Sequence, residues 1–69
     1  MLHKYYVNNS AQQNGDHEVH EEHCIYLKMA HDVKYLGMFE NGIQAVAYAR
    51  KFYAKADGCY FCCKEAHTS

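Results

Sequence analysis

The sequence predicts an α+β domain, an antiparallel sheet of three to four strands with one helix packed on one face, in the order β-β-β-α-β. Three observations predict it. Residues 41–56 carry apolar side chains at helical spacing. Short β-prone runs without that spacing stand before and after, at residues 4–7, 17–27, 33–39 and 59–64. The chain is 69 residues long, has no proline and is 49% apolar, which suits one small domain over 1–69 with one core.

Lys4-Tyr5-Tyr6-Val7 reads as the first strand. A polar stretch follows and ends in Asn14-Gly15, a strong turn signal. Residues 17–27 are compatible with helix or strand, and a strand is favoured because residues 33–39 need an antiparallel neighbour. As a strand, it places His17, Val19, Glu21, His23 and Ile25 on one face. Glu18, His20, Glu22, Cys24 and Tyr26 fall on the other, and residues 29–32 would turn the chain. Gly37, inside the third strand, predicts a bulge or a close approach. Asn41 with Gln44 forms an Asn-x-x-Gln capping box. The helix it opens has Ala45, Val46, Ala49, Phe52, Tyr53 and Ala56 as its core stripe. Asp57-Gly58 should end it, with glycine suiting the left-handed position. Residues 59–64 read as the last strand and 65–69 as a flexible tail.

Charge and composition narrow the function classes. The net charge is −1, and the chain has a single arginine, Arg50. Phosphate-backbone binding needs clustered Lys and Arg, so nucleic acid is not expected as a partner. The step from residues 35–39 into the helix resembles that of plant DNA-binding domains with a three-stranded sheet. Those domains read DNA with arginines on the sheet, which this chain lacks. The first residues show neither an apolar core nor a small-residue cleavage site of a secretory signal, and no run is long enough to span a membrane. A cytoplasmic chain with reduced thiols is therefore expected. A core this small calls for a staple such as a metal, a disulfide or a homodimer partner.

The chemistry-bearing residues are four cysteines and six histidines. Cys59-Tyr60-Phe61-Cys62 has the C-x-x-C spacing of zinc knuckles and redox pairs, with Cys63 next to it, His67 beyond and Cys24 earlier. The candidate ligands for zinc are Cys24, Cys59, Cys62, Cys63, His20 and His67. Tyr60 and Phe61 are bulky and β-prone, unlike a tight metal turn. On a straight strand Cys59 and Cys62 point to opposite faces, and residues four apart stand about 13 Å from each other. The straight strand is the preferred reading, with Cys59 and Cys63 as small core residues and no zinc obligatory for folding. Residues 16–24 do not form H-E-x-x-H, because Glu21 stands where the second histidine is needed. His20-Glu21-Glu22 with the later Cys59-x-x-Cys62 echoes the two halves of a zinc deaminase signature, but Gly58 replaces its proline and the chain is short for that fold. The run is expected to be a solvated strand face of alternating charge.

Several segments together resemble a small bacterial family of uncharacterised proteins. They are residues 5–8, Gly15-Asp16-His17-Glu18-Val19-His20, Cys24, Tyr35-Leu36-Gly37-x-Phe39, Ala45-Val46 and Ala56-Asp57-Gly58-Cys59-x-x-Cys62-Cys63. In that pattern, further cysteines stand where this chain has Gly42 and Ala66. The resemblance implies the fold and no activity. The sequence thus reads as a small non-enzymatic structural or interaction domain with a Cys/His cluster. The alternative is a thiol redox or zinc-binding protein using the C-terminal cysteines.

Overall fold

A computed structural model describes residues 1–68. The chain is α+β, with a four-stranded mixed sheet, one main helix and one short helix. The strands are β1 (His3–Asn8), β2 (His17–Glu21), β3 (Val33–Phe39) and β4 (Ala56–Gly58). The helices are α1 (Ile25–Met29) and α2 (Gly42–Ala49), and a single 3₁₀ turn covers Lys64–Ala66. The strand order is β3-β1-β2-β4. β1 is antiparallel to β2 and β3, whereas β4 runs parallel to β2.

Sheet and main helix follow local sequence rules. Asn41 caps α2, its side chain accepting from the Gln44 amide at 3.0 Å, while Gln44 Oε1 accepts from the Glu40 amide at 3.1 Å. Ala45, Val46 and Ala49 are buried against Tyr5, Val7, Val19 and Leu36. The small alanines let the helix lie close on the sheet, so side-chain volume comes from the strands. Gly37 takes φ +122° beside a register shift between Tyr5 and Tyr6, the bulge that its sequence predicts. Tyr5 pairs with Gly37 and Tyr6 with Tyr35, so Leu36 is the extra residue and drops into the core. Gly15, at φ +90°, turns the chain into β2 as expected.

Several expectations are corrected. Residues 17–27 are not one strand: β2 ends at Glu21, and the chain turns into α1. β2 does not pair with β3, because β1 lies between them. α2 stops at Ala49 rather than 56, since the chain must turn to lay Ala56–Gly58 beside β2. The Arg50 Nε donates to the Ala56 carbonyl at 3.2 Å and holds that turn. Tyr53 stays half-buried, stacked on His17 at 3.8 Å with its hydroxyl donating to Asn9 Oδ1 at 2.7 Å. Phe52 is left exposed under the Lys34 ammonium. Finally, residues 59–64 are not a strand but a turn that folds back on β4. Asp57 and Gly58, expected to end α2, belong to β4 instead. Beyond it, the Thr68 amide and hydroxyl donate to the Asp57 carboxylate at 2.9–3.2 Å.

Candidate metal centre

The sheet's second face carries the chemistry. Alternation along β2 sends Val19 under α2 and His20 to the opposite face. Strands with one wet face usually expose such a histidine, yet His20 is 1% exposed. Two turns cover it. After Glu21 the chain reverses, the Cys24 amide donating to the Glu21 carbonyl at 3.0 Å, and Cys24 leads into α1. After Gly58 the Cys59 amide extends the parallel pairing by donating to the Val19 carbonyl at 3.0 Å. The Cys63 amide then donates back to the Cys59 carbonyl at 2.9 Å, closing a helical turn over 59–63. That turn swings Cys62 towards Cys59, where a straight strand would have separated them.

One ligand atom from each of His20, Cys24, Cys59 and Cys62 lies within 4.8 Å of all the others. The Cys24 and Cys59 sulfurs are 4.0 Å apart, and Cys62 Sγ is 3.9 Å from His20 Nδ1. A tetrahedron with Zn–S bonds of about 2.3 Å has edges of about 3.8 Å. The cluster is therefore already near the size that four-coordinate zinc requires. The Glu21 amide points at Cys62 Sγ at 3.4 Å, a donor that would stabilise a thiolate there.

The protonation states suit a ligand set better than a nucleophile. Burial pushes His20 below the usual histidine range, which keeps its ring neutral and able to coordinate. Burial pushes the Cys24 thiol up and the Cys59 thiol to about 12. Cys62 is raised by its contact with Cys63, then by burial. Redox-active cysteines have lowered pKa values and open access. These thiols have the opposite character.

Glu18 completes the arrangement. It stands two residues before His20 on the same face of β2, and Glu18 Oε1 is 3.3 Å from His20 Nε2. With Nε2 facing a carboxylate, Nδ1 is the nitrogen left to face the sulfurs. This is the carboxylate–histidine arrangement that orients metal-bound imidazoles. Sequence reading put Glu18, His20 and Cys24 on one face but gave Glu18 no role; the i, i+2 spacing was the available signal.

The other candidate ligands lie outside this group. Cys63 is fully buried in the core, with Gly42 pressed against it, although its sulfur is 3.6 Å from that of Cys62. His67 Nδ1 donates to the Gly58 carbonyl at 3.0 Å and lies 3.4 Å from Asp57 Oδ2. The expected solvated face at residues 16–24 is also corrected, since Asp16, His20 and Cys24 are buried. Glu21, Glu22 and His23 form a second group with one ligand atom each within 4.8 Å of the others, but it lies nearer the surface. No protein-family model, curated protein or solved structure matches this chain.

Proposed function

We propose that the chain is a small zinc-binding structural domain whose metal is held by His20, Cys24, Cys59 and Cys62. The supporting observation is the convergence of three sulfurs and one imidazole within 4.8 Å. Three thiolates and a histidine are a recurrent zinc donor set, and four protein ligands leave no open position for substrate, which marks a structural rather than a catalytic metal. The expectation that folding needs no zinc rested on a straight strand at 59–64, and the turn found there removes its premise. Native mass spectrometry before and after chelation tests the reading. The expected result is one zinc per chain, removed together with the cooperative thermal transition and restored with it. Cobalt substitution should give thiolate-to-metal absorption. A chain that takes up neither metal and melts identically in chelator overturns the proposal.

A further inference from the structure

α1 is a helix with no buried residue, although four of its five residues are apolar. Ile25 and Met29 are one turn apart, and Tyr26 and Met29 are three residues apart, so the three form one stripe. Tyr26 stacks on Phe61 at 4.8 Å, and Phe61 meets Tyr60 edge-on at 5.2 Å. Exposure is 64% at Ile25, 38% at Tyr26, 68% at Met29, 50% at Tyr60 and 67% at Phe61. Both segments are tied to the proposed metal. Cys24 immediately precedes α1, and Tyr60 and Phe61 lie between ligands Cys59 and Cys62.

Resting on the zinc reading, we infer that this apolar surface is the self-association face of a homodimer, held in shape by the metal. Two features make a second copy the occupant. With large apolar side chains carrying roughly 150–250 Å² each, the five exposures amount to about 600 Å², near the ~800 Å² per partner of a standard interface. The segments at the patch also carry both signs, Lys28 and Lys64 against Glu21 and Glu22. A two-fold interface can place the basic residues of one copy against the acidic residues of the other. A strongly acidic or basic partner would meet like charge from one of the two pairs.

Analytical ultracentrifugation of the zinc-loaded chain, at about 1–200 μM, tests this. The expected result is a concentration-dependent dimer that dissociates in chelator. Phe61→Ser and Ile25→Ser change exposed side chains and should weaken association at least about tenfold while keeping one zinc per chain. A zinc-loaded chain that stays monomeric throughout overturns the inference. So does a dimer indifferent to Phe61→Ser and Ile25→Ser, or one that survives chelation. Native mass spectrometry of the same samples separates the two failures. A loaded monomer leaves the zinc reading standing, whereas a chain without metal removes its foundation.

Discussion

The two faces of the sheet are covered differently, one along its length by α2 and the other only around His20, leaving Tyr35 and Met38 exposed. Under α2 lie Tyr5, Val7, Val19 and Leu36 against Ala45, Val46 and Ala49. That side is held by removal of apolar area from water, worth about 25 cal/mol per Å², and needs nothing added. On the other face His20, Cys24, Cys59 and Cys62 are brought together with little apolar surface of their own. Burying an imidazole gains little unless something bonds it, and Glu18 does so on one side only. One face is therefore self-sufficient, and the other gathers three thiols and an imidazole close enough to hold a metal ion.

Breaking the second face should have the largest effect. Cys24→Ser or Cys59→Ser should lower zinc affinity at least about 10³-fold, measured by competition with a chromophoric chelator. Cys63→Ser, outside the ligand set, should leave affinity within about tenfold. Equal losses for Cys59 and Cys63 would show that the ligand set is misassigned.

Acid should act almost as strongly. Since Cys24, Cys59 and Cys62 are all pushed up in the absence of metal, they carry protons at neutral pH. Burial lowers His20, so it starts neutral. Binding then releases about three protons, and affinity should rise by about 10³ per pH unit through the neutral range. A slope near one would mean that a single thiol ligates.

Glu18→Gln sharpens the comparison at the level of orientation. It should cost about 10–100-fold in zinc affinity while the zinc-saturated chain keeps its cooperative melting transition. Unchanged affinity would leave Glu18 as a surface carboxylate.

On the helix side the effects are smaller. Asn41→Ala removes the α2 cap and should cost about 1 kcal/mol in chemical denaturation. Phe52→Ala should cost less than about 1 kcal/mol rather than the ~3–5 kcal/mol of a core truncation. Phe52 is 46% exposed and has the Lys34 ammonium 4.6 Å above its ring. A larger loss at Phe52 than at Asn41 would mean that the turn after α2 is better packed than described.

The helix side was the more legible in sequence for the same reason that it is self-sufficient. Capping and apolar spacing are local, so Asn41, Gln44, Ala45, Val46 and Ala49 took their predicted roles. Phe52 misled because the helical pattern runs past the point where β4 pulls the chain away. The metal side depends on residues 35 and 42 positions apart in the chain. Local propensity at Tyr60 and Phe61 favours a strand, and the bond from the Cys59 amide to Val19 with the closing bond at Cys63 overrides it. The alternation that put His20 and Cys24 on one face was readable. The turn bringing Cys59 and Cys62 to them was not.

The parallel pairing of β4 with β2 has a consequence for how the chain comes together. Gly58 is pressed so closely under the following turn that an added Cβ would stand 2.6 Å from the Cys63 carbonyl oxygen. His17 pairs with Ala56 across a longer stretch of chain than any pairing of β1 with β2 or β3, so the parallel pair carries the largest loop-closure cost in the sheet. During synthesis, His20 and Cys24 emerge first and wait. The group of His20, Cys24, Cys59 and Cys62 is complete only once β4 lies beside β2 and the turn after it has brought Cys62 in.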